Sequence, residues 1–336
     1  MIKKQFISDQ SIIDCLNAHY EIKVTTLTHI PLGADIDASV YKAETYNQLS
    51  YFVKLKRGHF DDIGTLIQLE LHATAIQHII SPIKTNHDQP TCHIDDFTLI
   101  VYPFIKGQDG FSQDLNKNQW ITLGKTLRQI HDFHLSPLLQ NQIKQESYSQ
   151  KWQKIVRSIY IHIDTEAKIT DKTALKLLTF MTKHKKIIQR LVDRAEQLGQ
   201  KIQQQSPKLV LCHSDIHGGN VLIANDETLY IVDWDQPIMA PKERDLMFIG
   251  GGIANIWNNA HEEKFFYSGY GTTDINKEIL SYYRHERIVE DIAIYSEQLL
   301  LTTDGSEDRE IMYKHFIDMF KPRGVVDIAF KTDTDL

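Results

Sequence analysis

The sequence predicts an α+β protein of two lobes, with an N-terminal antiparallel β-sheet that carries one helix and a larger, mainly α-helical C-terminal lobe. Short β-prone runs separated by turns fill the N-terminal part, and apolar residues at helical spacing dominate the rest. The chain has 336 residues, which exceeds the usual size of a single hydrophobic core. We place the boundary at a hinge, so that the predicted lobes comprise residues 1–105 and 106–336.

The first predicted strands form a hairpin. A β-prone run at residues 24–32 is followed by a polar turn of small residues at 33–38 and a returning strand at 39–43. Backbone N–H groups at the tip of such a hairpin can close over phosphates, which makes Gly33 and Asp35 candidate phosphate-binding residues. The signal is weak by itself, because the turn holds only one glycine and most hairpins of this kind bind nothing.

The third β-prone run carries two lysines, Lys54 and Lys56, on one face of the strand. Either could bind phosphate, and a solvated lysine explains each of them equally well. We favour Lys54, because it directly follows an apolar pair. The helix predicted at residues 63–79 carries Glu70, our candidate to pair with that lysine. Asp62 at the start of the helix is the competitor, although it could simply complement the helix dipole.

Residues 97–105 form an apolar run rich in β-branched side chains, which predicts a buried strand. The strand leads into the hinge at Gly107 and Gly110. Backbone groups exposed after such a strand suit the edge of an adenine ring. Because proline has no N–H to donate, the carbonyl of Pro103 and the N–H of Ile105 are the natural pair for this contact.

The most informative stretch lies in the predicted C-terminal lobe, at residues 213–220 and 230–235. Asp215 precedes Asn220 by five residues, and Asp233 follows that asparagine by thirteen. This is the spacing of a kinase catalytic loop, in which one carboxylate orients and deprotonates a hydroxyl while an amide oxygen and a second carboxylate hold magnesium. The flanking runs predict an antiparallel hairpin that brings Asn220 and Asp233 together.

Two other interpretations of this stretch remain open. His213, Asp215 and His217 suggest a zinc hydrolase, but histidines four residues apart face one metal only on a helix. The adjacent glycines and strand-like flanks disfavour a helix here. A polar loop whose Asp and Asn side chains cap turns would have a similar composition. We expect His213 to be a packed residue that supports the loop.

These residues make the chain resemble the aminoglycoside phosphotransferase family, a branch of the eukaryotic-like kinase fold. The resemblance covers nearly the whole length, and within the family it is greatest to enzymes that phosphorylate spectinomycin. It depends most on the following stretches: residues 51–56, 211–217, 231–235, 240–252 and 282–293.

The resemblance implies a small-molecule kinase that uses ATP and Mg²⁺ and transfers the γ-phosphoryl group to a hydroxyl of an aminocyclitol antibiotic. The leading acceptor is the 9-hydroxyl of spectinomycin, and antibiotic resistance would follow. By position, the family roles would be Asp215 as the catalytic residue, Asn220 and Asp233 as magnesium ligands, Lys54 on the phosphates, Pro103 and Ile105 on adenine, and Asp245 as a support of the catalytic loop.

The chain departs from protein kinases in two ways that bear on its substrate. Trp234 and Asp235 stand where those enzymes have Phe-Gly, and no Ala-Pro-Glu segment follows. The missing activation segment argues against a protein substrate. The alternatives that remain are a kinase of the same fold acting on choline, homoserine or methylthioribose, and a catalytically silent nucleotide-binding protein.

Acceptor recognition is predicted for the helices after Asp233. Glu286 and Glu290, four residues apart, share a helical face and could receive a cationic acceptor. Trp257 follows three glycines and could lay its ring against a fused-ring ligand. A core position explains Trp257 equally well. We expect Arg287 and Asp291 to form an ordinary surface pair.

Composition excludes several other classes of protein. A formal charge of -7 with dispersed basic residues gives no support to nucleic-acid binding. The three cysteines are far apart and odd in number, so we expect neither a metal pattern nor a disulfide framework, and a reducing, cytoplasmic location. No apolar run resembles a signal peptide or a membrane span. We expect neither a membrane partner nor an obligate protein partner.

Overall fold

The structure is a computed structural model that describes residues 7–31, 38–58, 60–74, 76–166, 170–302 and 308–334. The strands are β1 (Val24–Ile30), β2 (Ala38–Thr45), β3 (Ser50–Arg57), β4 (Thr91–Ile94), β5 (Phe97–Pro103), β6 (Gly107–Asp109), β7 (Val210–Cys212), β8 (Val221–Ala224), β9 (Leu229–Ile231) and β10 (Ile238–Ala240). The helices are α1 (Asp9–Tyr20), α2 (Ile63–Ala73), α3 (Lys117–His131), α4 (Pro137–Gln142), α5 (Lys151–Glu166), α6 (Lys172–Lys183), α7 (Lys185–Gln203), α8 (Glu243–Leu246), α9 (Ala260–Tyr270), α10 (Lys277–Leu300), α11 (Asp308–Asp318) and α12 (Val325–Thr334).

The chain divides into two units, each made of separate segments. Unit one comprises residues 1–113, 133–143 and 219–237, and unit two comprises residues 114–132, 144–218 and 238–336. Our boundary after residue 105 stays a prediction.

Unit one contains a five-stranded antiparallel sheet in the order β1-β2-β3-β5-β4. Alternation along β3 places Val53 and Leu55 on the buried face, where they join Ile12 and Leu16 of α1 in one hydrophobic core. The opposite face of β3 therefore carries Lys54 and Lys56. The predicted N-terminal antiparallel sheet is confirmed.

A second sheet of unit one has the order β6-β8-β9 and contains the hairpin predicted after Asn220. Val221 pairs with Ile231 in the antiparallel register. The N–H of Ile231 also donates to the carbonyl of His78 at 2.8 Å, which ties the hairpin to the chain just after α2. These backbone bonds place both ends of the hairpin on a fixed scaffold.

Helix α2 packs directly against the segment that follows β9. A Cβ atom at Gly64 would lie 1.9 Å from the carbonyl oxygen of Trp234. Only glycine allows so close an approach of the two backbones. The close contact fixes the position of the two aspartates that flank Trp234.

Unit two is mainly helical and is organised around α10, which packs against α5, α7, α11 and α12. Buried side chains from these helices, such as Ile188, Leu191, Ile292 and Phe316, form a hydrophobic core of this unit. Strands β7 and β10 pair antiparallel at Leu211 and Met239. The mainly helical C-terminal part confirms the predicted α+β, protein-kinase-like class.

Among the helices in the described ranges, none is both long and apolar enough to cross a lipid bilayer.

Candidate active site

A cluster of ion pairs in unit one joins β3 to the segment after β9. The Nζ atom of Lys54 lies 2.7 Å from Oδ1 of Asp233 and 2.8 Å from Oδ1 of Asp235. Lys56 binds the other oxygen of Asp235 at 2.7 Å. The sequence did not decide whether Lys54 or Lys56 binds phosphate. In the structure Lys54 contacts Asp233, the proposed magnesium ligand.

The charges of this cluster are held in place electrostatically. Burial by itself would lower the pKa of Lys54, but Asp233 and Asp235 outweigh it and raise that pKa above its usual range. Burial would likewise raise the pKa of Asp235, yet the two lysines lower it to about 2. At neutral pH Lys54 and Asp235 are therefore both charged.

The hairpin brings the two predicted metal ligands to adjoining positions in unit one. The N–H of Val232, the residue before Asp233, donates to the carbonyl oxygen of Asn220 at 3.0 Å. Asn220 is buried, while the side chain of Asp233 is 46% exposed and its backbone has a φ of 64°. A left-handed conformation at a residue other than glycine is strained and is common at functional sites. An amide oxygen and a carboxylate are ligands that fit Mg²⁺.

Glu70 contacts a different element from the one we predicted. Its carboxylate accepts hydrogen bonds from the backbone N–H of Ser136 at 2.6 Å and from the Ser136 hydroxyl at 2.7 Å. Ser136 precedes α4, so Glu70 satisfies donors at the start of that helix. The ammonium of Lys54 is already bound by two aspartates, and the predicted Lys54–Glu70 pair is not formed. Asp62, the competitor, accepts from the hydroxyl of Thr91 at 3.4 Å instead.

The residues predicted to bind the rest of the nucleotide are placed only in part. Pro103 is exposed at the end of β5, opposite Tyr51 of β3, and Ile105 is half-buried two residues later. Gly33 and Asp35 lie outside the described residues. The nucleotide-binding roles of all four, and that of Glu70, stay predictions.

The loop after β7, in unit two, is held by Asp245. This fully buried carboxylate accepts from the N–H groups of His213 at 2.9 Å and Ser214 at 2.6 Å, and it lies 3.1 Å from Nε2 of His131. Ser214 has a φ of 74°, a strained conformation that these bonds stabilise. Asp245 thus supports the loop as the family resemblance implied. His213 is also buried and accepts from the N–H of Asp215 at 3.3 Å, as expected of a packed histidine.

Arg287 and His217 both contact the carboxylate of Asp215. Nη1 of Arg287 donates to Oδ1 at 2.7 Å, and Nε2 of His217 lies 3.3 Å from Oδ2. Burial alone would raise the pKa of Asp215, but the charge of Arg287 and the contact with His217 outweigh burial and hold that pKa well below its usual range. The carboxylate is therefore ionised across the physiological range.

Sequence reasoning missed the role of Arg287. Its predicted pair with Asp291 is present at 3.2 Å, but it is not an ordinary surface pair, because the side chain of Arg287 is only 22% exposed and its other arm binds Asp215. The two residues are 72 positions apart. No local pattern in the sequence could have connected them.

The model of the phosphotransferase enzyme family matches residues 28–249 of the chain. The chain belongs to this family. A crystal structure of a spectinomycin phosphotransferase in complex with ADP and spectinomycin is 47% identical, with 98% of this chain and 99% of that chain covered and a TM-score of 0.91. An AMP-bound complex of spectinomycin phosphotransferase is 45% identical, with 97% and 99% covered and a TM-score of 0.87.

More distant likenesses concern the fold alone. A choline kinase from Streptococcus pneumoniae is 14% identical over 98% of this chain and 99% of its own, with a TM-score of 0.59. No curated protein sequence matches the chain significantly.

Unit two of this phosphotransferase also contains the candidate acceptor residues. The ring of Trp257 is buried and lies edge-on to that of Trp120, with ring centres 5.0 Å apart. Glu286 is buried and accepts from Nε2 of Gln153, and burial raises its pKa to about 8. A neutral Glu286 is a poor receptor for a cation at pH 7. Glu290, one turn later, is half-buried and is the better candidate.

The zinc-hydrolase interpretation gains no support from the phosphotransferase structure. Within the described ranges, the nitrogen and oxygen atoms of His213, Asp215 and His217 that could bind a metal do not all lie within 4.8 Å of one another. Two other groups do meet this distance: His131, Cys212 and Asp245, and Cys15, His19 and Cys92.

All three cysteines are free thiols, and two of them, Cys15 and Cys92, meet in the tertiary structure. Their Sγ atoms lie 2.6 Å apart, although the residues are 77 positions apart in the sequence. The contact arises because α1 packs against β4 in the tertiary structure. The sequence did not reveal it, because the two elements are far apart in the chain.

Proposed function

We propose that this phosphotransferase transfers the γ-phosphoryl group of ATP to the 9-hydroxyl of spectinomycin. The observation that carries the proposal is the likeness to the spectinomycin phosphotransferase over nearly the whole of both chains, together with the kinase-loop spacing of Asp215, Asn220 and Asp233. A cytoplasmic location would suit an enzyme that uses ATP. Phosphorylation of spectinomycin would give resistance to the antibiotic.

Magnesium would be held by Asn220 and Asp233, whose oxygens fit a hard cation. Magnesium held there would supply positive charge that offsets the charge of the nucleotide phosphates. Lys54, which remains charged in its buried position, would bind the phosphates that lie beside the metal. These residues supply binding and orientation of the donor.

Asp215 would act on the acceptor. Its ionised carboxylate accepts a hydrogen bond from the acceptor hydroxyl, aims the oxygen at the phosphorus and receives the proton as the new bond forms. The support of Asp245 for the preceding two residues keeps this carboxylate in a fixed orientation. Alignment of reacting groups accounts for much of the rate enhancement in reactions of this kind.

Purified protein incubated with ATP, Mg²⁺ and one acceptor at a time tests the proposal. The acceptors are spectinomycin, streptomycin, kanamycin and choline, and the readouts are ATP consumption and the mass of the product. We expect one added phosphate on spectinomycin. No transfer to spectinomycin, or faster transfer to choline, would contradict the proposal.

Two variants control this experiment. Asp215→Ala should abolish transfer while nucleotide binding survives. Asp193→Ala removes an exposed carboxylate that pairs with Arg157 on the surface of unit two, and it should behave as wild type.

A further inference from the structure

Arg287 connects the proposed catalytic aspartate to a second carboxylate within unit two. Its Nη1 atom donates to Asp215 at 2.7 Å and its Nε atom to Asp291 at 3.2 Å. The guanidinium carbon lies 5.9 Å from the ring centre of Phe248. Two carboxylates and an aromatic ring fix the plane of this planar cation before any substrate binds.

The contacts of Arg287 and His217 act on different oxygens of Asp215. Arg287 binds Oδ1, and His217 lies 3.3 Å from Oδ2. Contacts at both oxygens determine the plane of the carboxylate, not only its charge. The direction in which Asp215 can accept a hydrogen bond is therefore set by Arg287 of α10 together with His217.

We propose that Arg287 is a positioning residue for phosphoryl transfer, one that aims the Asp215 carboxylate and keeps it ionised during turnover. This rests on the proposed role of Asp215. A carboxylate paired with a guanidinium is a weak proton acceptor, which suits a loose transition state in which the hydroxyl loses its proton late. The contribution of Asp215 is then mainly alignment.

The surroundings of Arg287 also indicate the charge of the acceptor. Asp215, Asp291 and Glu290 all raise the pKa of the guanidinium against the opposing effect of burial. A second guanidinium, Arg244, interacts with Glu290 and Arg287, so the cluster holds three carboxylates and two guanidinium groups. The carboxylates remain in excess by one charge when all are ionised, and burial raises the pKa of Asp291 to about 6. A cationic acceptor, such as an aminocyclitol with ammonium groups, is attracted to this cluster.

The test compares Arg287→Gln, Arg287→Lys and Asp291→Asn with wild type. In Arg287→Gln we expect kcat to fall at least about 10-fold with the KM for ATP unchanged, because only alignment is lost. The acid limb of the kcat–pH profile should move up by about 1–3 pH units, the shift that a nearby opposite charge produces in a carboxylate. Arg287→Lys should recover part of kcat, since lysine keeps the positive charge but lacks the planar set of N–H donors of the guanidinium.

Asp291→Asn separates positioning from general disruption of the cluster. Loss of a nearby negative charge favours the ionised form of Asp215, so the acid limb should not move up. Arg157→Gln, which removes two ion pairs at the surface of the same unit, is the matched control and should retain wild-type kinetics. Thermal unfolding identifies any variant that fails to fold. If Arg287→Gln does not fold, the comparison of Arg287→Lys with wild type is the test.

A folded Arg287→Gln protein with wild-type kcat and acid limb overturns the inference. Titration of the Asp215 carboxyl carbon by NMR keeps this result distinct from failure of the proposed function. If wild type phosphorylates no acceptor, the proposed function fails, while the titration still reports whether Arg287 lowers the pKa of Asp215.

A separate feature of unit one is the buried pair formed by Cys15 of α1 and Cys92 of β4. Both side chains are no more than 7% exposed, and their Sγ atoms lie 2.6 Å apart. His19, one turn after Cys15, has a ring nitrogen within 4.8 Å of both sulfurs. Two sulfurs on one tetrahedral zinc, each at about 2.3 Å, would lie about 3.8 Å apart. The spacing favours a direct bond over a shared metal.

We infer that Cys15 and Cys92 are an oxidisable dithiol that a peroxide converts to a disulfide between α1 and β4. The hydrogen bond from Cys15 lowers the pKa of Cys92, which makes Cys92 the reacting thiolate. The thiolate attacks one oxygen of hydrogen peroxide and becomes a sulfenic acid, and the hydroxide that leaves takes a proton from solvent to form water. The thiol of Cys15 gives its proton to His19 and attacks the sulfenic sulfur, which forms the S–S bond. The hydroxide expelled from that sulfur takes the proton from His19 and leaves as a second water.

Thiol titration under denaturing conditions tests this inference, before and after treatment of the reduced protein with hydrogen peroxide. We expect the three thiols of the chain to fall to one, Cys212, and a peptide that links residues 15 and 92 in the mass spectrum. Cys212→Ser should still form the link, while Cys15→Ser and Cys92→Ser should not. Oxidation without the linked peptide, or a stoichiometric zinc ion held by the purified protein through these cysteines, overturns the inference.

Discussion

Replacement of Asp245 by asparagine tests how the catalytic loop is held. Each carboxylate oxygen of Asp245 accepts a backbone N–H, one from His213 and one from Ser214, and Oδ2 also faces His131. The amide of asparagine keeps one acceptor oxygen but presents an NH₂ group in place of the other. One backbone N–H would then face a donor in a fully buried site.

The cost follows from the groups left without an acceptor. A buried donor that loses its acceptor costs about 1–3 kcal/mol, and loss of a charged acceptor weakens the remaining bond as well. We therefore expect Asp245→Asn to reduce the free energy of unfolding by about 2–4 kcal/mol. At roughly 2–4 °C per kcal/mol for a protein of this size, the melting temperature should fall by several degrees or more.

The loop should also lose its shape in the folded protein. Ser214 is held at a φ of 74°, and strain of this kind costs about 1–3 kcal/mol when the surrounding bonds no longer impose it. Relaxation would move Asp215, and a misplacement of about 1 Å can cost 100-fold in rate. We expect kcat to fall at least 10-fold at temperatures where the variant remains folded.

Thermal unfolding and steady-state kinetics of Asp245→Asn measure both effects. The double variant Asp245→Asn/Ser214→Gly is the matched control, because glycine adopts a positive φ without strain and should restore part of the stability but not kcat. An Asp245→Asn protein that melts within 1 °C of wild type and keeps its kcat would show that these hydrogen bonds do not hold the loop.

Three further outcomes are expected. Asp233→Ala should weaken nucleotide binding in the presence of Mg²⁺ but not in its absence, and equal affinities by calorimetry with and without the metal would exclude a ligand role. The stability that neutral Glu286 contributes is present below the ordinary pKa of a glutamate and is lost as pH rises towards its folded pKa of about 8. Glu286→Gln should therefore gain about 1.4 kcal/mol over wild type for each pH unit in that window, and a constant difference between pH 5 and 7.5 in urea unfolding would contradict the assignment. Gly64→Ala would place a Cβ 1.9 Å from the carbonyl of Trp234, so we expect a loss of about 1–3 kcal/mol and a raised KM for ATP; a variant with unchanged stability would show that α2 can move away freely.

Local sequence pattern was sufficient to predict the secondary-structure elements and to recognise the spacing of the catalytic motif. The antiparallel hairpin from Asn220 to Asp233 followed from two short apolar runs and a turn, because strand periodicity and turn chemistry act over a few residues. Position on β3 similarly placed Lys54 on the polar face of its strand. Such features depend on neighbours in the chain, and the sequence contains them directly.

The polar partners of these residues were beyond local pattern. Glu70 was predicted to bind Lys54, yet it binds the start of α4, while two aspartates nearly 180 positions away hold the lysine. Any of several acids could have satisfied that ammonium by charge alone. Which acids reach Lys54 depends on which backbone segments pack together, as at Gly64.

The amino-acid sequence by itself determined the α+β class, the family and the residues that carry the proposed chemistry, because these depend on spacing and side-chain type over short distances. Only the tertiary structure decided that Arg287 binds Asp215, that Cys15 meets Cys92, and that Trp257 is a core residue. Contacts between residues far apart in the chain arise from the packing of whole helices and strands, and a charge or a thiol has no preferred partner until that packing is complete.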